Sequence, residues 1–137
     1  MEPFKFENLK WADARLRSIT IRPGAEATNE VVCDVLFPRK IGISDDQWEA
    51  SRIIFSGCVA VRVNLDFLGM ALSGNTIADA ACLQTSEMLA DIMKCYEPQW
   101  LAKTIPGNTP LLHYLIELIS PAGRLHVVGT RVVLERL

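Results

Sequence analysis

The sequence contains no apolar run long enough to cross a membrane as a helix, and no export signal. Its longest apolar stretches are interrupted by Arg, Asp, His, Gly or Pro well before the roughly 18 residues that a spanning helix requires. The first ten residues, MEPFKFENLK, contain neither an apolar segment nor a small-residue cleavage site. These absences predict a cytoplasmic protein that has no membrane partner.

The sequence also lacks the cysteine spacing of a metal or redox motif. Cys33, Cys58, Cys82 and Cys95 form no C-x-x-C pair, which excludes a zinc knuckle and a thioredoxin-type site. In a reducing compartment such cysteines are small apolar side chains, so we expect them to be buried and to form no disulfide. No set of His, Cys, Asp and Glu has the spacing of metal ligands, and we predict neither a metal nor a cofactor.

Nucleotide and nucleic-acid motifs are absent as well. There is no G-x-x-x-x-G-K-[ST] sequence, and no G-x-G-x-x-G follows a predicted strand. With 14 basic and 16 acidic residues the net charge is -2, which argues against a general affinity for phosphate backbones. Arg15, Arg17 and Arg22 with Trp11 could contact RNA, but such a group is more typical of a solvated strand face. We predict no nucleic-acid partner.

What is present is the pattern of one β-rich domain. A chain of 137 residues, half of them hydrophobic, fits a single domain over residues 1–137 with one core. Period-two alternation and β-branched runs predict strands over residues 16–22, 30–37, 48–55, 59–65, 76–83, 111–119 and 125–134. Two strand faces are predicted to point into the core: Val31, Cys33, Val35 and Phe37 in one strand, and Val59, Val61, Val63 and Leu65 in another.

The last two predicted strands flank Ser120-Pro121-Ala122-Gly123 and should form a hairpin. A three-residue turn would pair Ser120 with Arg124. That register predicts one shared face formed by Leu112, Tyr114, Ile116, Leu118, His126, Val128, Val132 and Leu134.

One helix is predicted, late in the chain. Ser86 is suited to the N-cap, and Pro98 limits the helix on its C-terminal side. The apolar face of this helix is predicted to consist of Leu89, Ile92, Met93 and Tyr96. The expected fold class is therefore α+β, mainly antiparallel β, as a twisted sheet or sandwich of about six or seven strands with one late helix.

No sequence motif identifies catalytic residues. Cys58 beside Gly57 could be an exposed thiolate, although a buried thiol in a bulge is more common. His126 would oppose Glu117 if the hairpin had a tighter two-residue turn, and would then form an imidazole and carboxylate pair. A small thiol-dependent or hydrolytic enzyme using Cys58 or His126 is thus an alternative, but we expect a protein that is not an enzyme.

Two regions of the sequence are acidic, residues 26–49 and residues 63–102. Residues 26–49 contain six carboxylates and two basic residues. Three of these carboxylates, Asp45, Asp46 and Glu49, lie in or next to the polar link between two predicted strands. Such links are exposed, and clustered carboxylates raise the association rate of a basic partner. These three residues are the predicted partner-binding site.

The opening segment, residues 6–21, provides a resemblance to a known class of proteins. It contains Trp11-x-Asp13-Ala14-x-Leu16-x-x-Ile19, and it precedes alternating strands, an Ile77-x-x-Ala80 segment and a closing hairpin around Gly123. This order resembles small bacterial immunity or immunity-like proteins of toxin systems. The resemblance implies a non-enzymatic protein that neutralises a cognate toxin, such as a basic nuclease, by direct 1:1 binding. A self-associating structural domain is the remaining alternative.

Overall fold

The computed structural model describes residues 5–24, 29–38, 48–95 and 109–137. In these ranges the chain is mostly antiparallel strand, which confirms the predicted fold class. The strands are β1 (Arg15–Arg22), β2 (Glu30–Pro38), β3 (Trp48–Ser56), β4 (Ala60–Leu65), β5 (Ile77–Leu83), β6 (Leu112–Leu118), β7 (Gly123–Gly129) and β8 (Arg131–Arg136). The helices are a 3-10 turn (Phe6–Asn8), α1 (Phe67–Ser73) and α2 (Glu87–Cys95).

The strands form two four-stranded sheets that share one hydrophobic core. The first sheet has the order β1-β2-β3-β8, and the second has the order β4-β7-β6-β5. Alternate residues of β2 are buried in this core as predicted, since each lies on the side of the first sheet that faces the second. These residues are Val31, Cys33, Val35 and Phe37.

Aromatic side chains from the N-terminal segment connect the two sheets. The Phe6 ring lies 6.0 Å from Phe55 of β3 and 5.2 Å from Tyr114 of β6, between ring centroids. Trp11 packs against Phe6 at 4.7 Å and donates its indole N–H to the Phe6 carbonyl oxygen at 2.6 Å. The buried indole therefore has a partner for its polar atom, as burial of a Trp requires.

The structure confirms the N-cap of the late helix but changes its buried face. Ser86 Oγ accepts a hydrogen bond from the Leu89 N–H at 3.1 Å. Leu89 and Ile92 are buried as predicted, whereas Met93 is 57% exposed and Met88 is buried in its place. Met88 and Ile92 are four residues apart and are buried together with Leu89, whereas Met93 lies outside this buried face. The predicted Tyr96 lies outside the described residues.

The hairpin between β6 and β7 has a different register from the predicted one. Glu117 lies opposite Arg124, so Ser120 does not pair with Arg124 and His126 opposes Leu115 rather than Glu117. Four residues, 119–122, connect the strands, instead of the three that were predicted. Arg124 pairs three residues earlier in β6 than predicted, and a shift by an odd number of residues moves every side chain of one strand to the other face relative to its partner.

This register separates the side chains that were predicted to share one face. Tyr114 and Ile116 lie in the shared core with Leu125 and Val127. His126 lies on the opposite face, against His113. Val128, which was also predicted to share the face of Tyr114, packs instead with α2.

The last predicted strand is two strands in two different sheets. β7 ends at Gly129, and after Thr130 the chain continues as β8, which pairs with β3 in the first sheet. Val132 and Leu134 therefore lie opposite Phe55 and Ile53, where they pack against the core from the first sheet. This split gives eight strands in the described part of the chain, against the six or seven that were expected.

The helix α1 was not predicted. The Asp66 side chain caps it by accepting hydrogen bonds from the N–H groups of Leu68 at 3.0 Å and Gly69 at 3.1 Å. Gly69 faces the hairpin turn so closely that a Cβ atom there would lie 2.5 Å from the Pro121 carbonyl oxygen. Met70 packs against the core. The residues of α1 are apolar on every side, so no helical period marks the segment in the sequence.

Among the described residues, no helix is both long and apolar enough to span a membrane.

Candidate functional site

An apolar groove lies between β1, at one edge of the first sheet, and β4, at one edge of the second sheet. Its volume is about 390 Å³. It is lined by Leu16, Arg17, Ser18, Ile19 and Ile21 of β1, by Val63 and Leu65 of β4, and by Met70 of α1. Apolar clefts of a few hundred Å³ are typical of binding sites in proteins.

The groove is open because the inner faces of its two strands are not fully covered. Ile21 lies opposite the buried Val31, and Val63 lies opposite the buried Leu125, so both point to the core side of their sheets. Nevertheless Ile21 is 52% exposed and Val63 is 46% exposed. The sequence therefore predicted the correct side for Val63 but not its burial.

The other residues of β4 agree with the predicted alternation more closely. Val61 and Leu65 are partly buried and pack against the shared core, while Arg62 and Asn64 are exposed. Val59 precedes the strand and packs with α2 instead. The period-two pattern thus assigns the faces of β4, whereas the spacing between the sheets decides how deeply each face is buried.

The helix α1 adds three large apolar side chains next to β4. Phe67 is 85% exposed, Leu72 is 76% exposed and Leu68 is 72% exposed. Large apolar side chains that are exposed together on one short helix are typical of interaction sites. We refer to Ile21, Val63, Phe67, Leu68 and Leu72 together as the apolar surface.

The predicted acidic site is not part of the apolar surface where the structure describes it. Asp45 and Asp46 lie outside the described residues. Glu49 is on β3, two strands away from β1, and its carboxylate forms an ion pair with Arg136 Nε at 3.3 Å. This pairing already neutralises one of the three carboxylates that were predicted to meet a basic partner.

The structure gives Cys58 the properties of a buried thiol. Its Sγ donates a hydrogen bond to the Phe55 carbonyl oxygen at 3.3 Å, and burial raises the pKa of the thiol to about 11. Cys33 is also buried, and burial raises its pKa to about 12. The thiolate is the reactive form of cysteine, so both groups are unreactive at neutral pH. Cys82 is half-buried and Cys95 is exposed, contrary to the prediction that all four are buried.

The two histidines form a hydrogen-bonded chain with Ser86 on the outer face of the second sheet. His113 Nε2 lies 2.9 Å from His126 Nδ1, and His113 Nδ1 lies 2.8 Å from Ser86 Oγ. Since Ser86 also caps α2, these hydrogen bonds connect the start of this helix to β6 and β7. The sequence contained both histidines but gave no signal of their contact, because the predicted register placed them differently.

Both histidines are held in the neutral form. Burial, His126 and Arg62 lower the pKa of His113 below 6.5. Burial, Arg124 and Arg62 lower the pKa of His126, against an opposing effect of Glu117. Ser86 Oγ already accepts a hydrogen bond from the Leu89 N–H, so the hydrogen bonds among Ser86, His113 and His126 support a structural role for these three side chains. Cys58 bonds to a backbone carbonyl and not to either histidine.

Comparison with known proteins finds no family model, no curated protein and no solved structure that matches this chain. The resemblance to immunity proteins therefore depends on the sequence pattern alone. Within the described ranges, no group of three or more His, Cys, Asp and Glu residues is placed to hold a metal ion. The apolar surface is the candidate functional site.

Proposed function

We propose that this chain is a non-enzymatic binding protein and that a partner protein docks on the apolar surface. The observation that carries the proposal is the exposure of Phe67, Leu68 and Leu72 beside an open apolar groove. Burying a large apolar side chain on binding contributes about 1.5–3 kcal/mol. Phe67 is the best anchor among the three, because aromatic residues are enriched in the buried core of protein interfaces.

The position of α1 supports this proposal because the helix is anchored on its other side. Asp66 caps the helix, Gly69 lies against Pro121, and Met70 packs against the core. These contacts hold Phe67 and Leu72 toward solvent in the folded protein. A partner then meets a helix whose backbone is already folded and anchored, which reduces the entropy lost on binding.

The specific form of the proposal is an immunity function, in which the partner is a cognate toxin neutralised by 1:1 binding in the cytoplasm. The resemblance of residues 6–21 to immunity proteins supports this form, as does the net charge of -2, which disfavours nucleic acid as the ligand. Asp45, Asp46 and Glu49 belong to the same proposal as a second contact for a basic toxin such as a nuclease. Rim carboxylates of this kind raise the association rate more than the affinity.

The test is a binding titration against the product of the adjacent upstream gene, with growth rescue in cells that express that product. Phe67→Asp and Leu72→Asp place a carboxylate on the apolar surface, and Met93→Asp is the control on an exposed apolar residue of α2. We expect the two α1 variants to weaken binding by about tenfold or more, a loss of about 1.4 kcal/mol, and the control to bind as the wild type does.

Each outcome of the titration bears on a different part of the proposal. Equal affinities for all variants would remove α1 from the site. Absence of both binding and rescue for the wild type would contradict the immunity function. A wild-type dimer that Phe67→Asp converts to a monomer would show that a second copy of this chain covers the apolar surface.

A further inference from the structure

The outer edge of β1 already receives a strand from the same chain. The N–H of Leu16 donates to the Asn75 carbonyl oxygen at 3.0 Å, and the N–H of Ile77 donates to the Ala14 carbonyl oxygen at 2.7 Å. The Asp13 N–H donates in turn to the Ile77 carbonyl at 3.0 Å. The residues leading into β5 thus extend the first sheet antiparallel to the start of β1.

This internal pairing stops at Leu16, while β1 continues to Arg22. Gly74, with φ of 74°, turns the chain from α1 into Asn75, so no earlier residue of this segment follows β1 further. β1 is the edge strand of its sheet, and no described strand pairs with residues 17–22 on that side. The unpaired part of β1 borders the groove directly.

The side chains of this edge alternate between two environments. Ile19 and Ile21 lie opposite Cys33 and Val31, on the core side that lines the groove. Ser18 points to the other face, where its hydroxyl donates to Asp34 Oδ2 at 3.1 Å. A strand added along this edge would place alternate side chains over the apolar groove and the remainder on the outer face.

Arg17 is the one charged residue among the described residues that line the groove. Arg17 forms no ion pair among the described residues, and Arg22, which is paired with Glu30 at 3.9 Å, has a side chain that is 55% exposed. Asp66, the acidic residue at the start of α1, is engaged by the N–H groups that it caps. An added strand that carries carboxylates on its outward positions would therefore meet the guanidinium group of Arg17.

We propose that the partner segment that occupies the groove is an extended β-strand with alternating apolar and acidic residues, which adds to the edge of β1 at residues 18–22. Its backbone continues the pairing that Asn75–Ile77 begins, and its apolar residues cover Ile19, Ile21 and Val63. Strand addition of this type obtains affinity from main-chain hydrogen bonds and specificity from alternate side chains. This inference rests on the proposed function and names the segment that the binding protein takes.

The experiment uses a capped decapeptide that alternates valine and glutamate, with fluorescence anisotropy to measure binding to the full chain. A peptide with lysine in place of glutamate tests the charge, and two peptides that are N-methylated at alternate residues test which backbone edge pairs. We expect the lysine peptide to bind at least about tenfold more weakly than the glutamate peptide. One N-methylated peptide should lose binding and the other should retain it, since a strand presents alternate N–H groups to each edge.

Two further measurements distinguish strand addition from nonspecific hydrophobic binding of the peptide. Hydrogen exchange of the amides of residues 18–22 should slow when the glutamate peptide is bound. Ile21→Asp should abolish peptide binding, while Met93→Asp should leave it unchanged. Equal binding of the glutamate and lysine peptides, unchanged exchange in β1, or no binding of any peptide would overturn the inference. None of these results affects the proposed function, which the α1 variants and the protein toxin test separately.

Discussion

His113 and His126 share one hydrogen bond between ring nitrogens at 2.9 Å across β6 and β7. Each neutral imidazole has one donor and one acceptor nitrogen, so the pair can carry at most one additional proton and keep this bond. If both rings are fully protonated, two N–H groups face each other and the bond cannot form. Arg62 lies near both rings and opposes protonation further.

The first prediction is that the protein loses stability as the pH falls below 6.5. The pKa of both histidines is lowered in the folded protein, so the unfolded chain binds more protons than the native one in this range. Their contribution is complete above pH 6.5 and is lost as the pH falls through the lowered values. Urea unfolding at pH 7.5 and pH 5 measures the effect.

The control for this pH effect is the double variant His113→Gln and His126→Gln, which should have a flatter dependence over the same range. Asp34 does not contribute in this window. Its pKa is lowered from 3.8 by the hydrogen bond from Arg52, so its contribution is lost only at more acidic pH. An unchanged slope in the double variant would contradict the role given to the histidines.

The second prediction concerns Ser86, whose hydroxyl caps α2 and contacts His113. Ser86→Ala should lower the free energy of unfolding by about 1–3 kcal/mol, because a lost cap costs about 1 kcal/mol and His113 Nδ1 loses its partner. Ser86→Thr retains the hydroxyl and is the matched control. Chemical denaturation of the two variants at pH 7.5 provides the comparison, and equal losses would show that the hydroxyl is not the stabilising group.

The third prediction separates the two faces of α2. Leu89 is buried against the second sheet, so Leu89→Ala should cost about 2–5 kcal/mol. Met93 is on the solvent side, and Met93→Ala should change the stability by less than about 0.5 kcal/mol. Thermal unfolding measures both. Similar losses for the two variants would mean that α2 is packed in a different orientation.

The fourth prediction tests the anchoring of α1. Gly69→Ala should cost about 1–3 kcal/mol, because the added methyl group meets the Pro121 carbonyl oxygen and α1 must shift. Leu72→Ala is a larger change of side-chain size in the same helix, but the side chain is exposed, so this variant should be nearly neutral. Denaturant titration distinguishes them. A neutral Gly69→Ala variant would show that α1 is held only loosely against the hairpin turn.

The fifth prediction is an order of thiol reactivity. Cys95 is exposed and should react first with iodoacetamide at neutral pH, followed by the half-buried Cys82. Cys33 and Cys58 should react only on unfolding, because burial excludes the reagent and raises the pKa of both thiols. Mass spectrometry of the native and denatured protein gives the order. Four alkylated cysteines after denaturation without reductant would confirm that no disulfide is present.

The sequence by itself determined the elements that depend on local pattern. Alternation in residues 30–37 predicts β2 and its buried face, because side-chain direction in a strand has a period of two. Ser86 before an apolar helical segment predicts the start of α2, because an N-cap is a local hydrogen bond. Both features involve residues close together in the chain. The absence of catalytic motifs likewise directed the interpretation toward binding.

Only the tertiary structure decided which strands pair and which apolar residues remain exposed. A register shift of three residues in the hairpin moved His126 from the face that it was predicted to share with Tyr114 to a contact with His113, and no local pattern specifies that shift. The last apolar run is divided between two sheets because β3 and β6 are both available as partners, which depends on distant residues. Ile21 and Phe67 resemble core residues in sequence, and they form the apolar surface because no described strand or helix of this chain covers that edge.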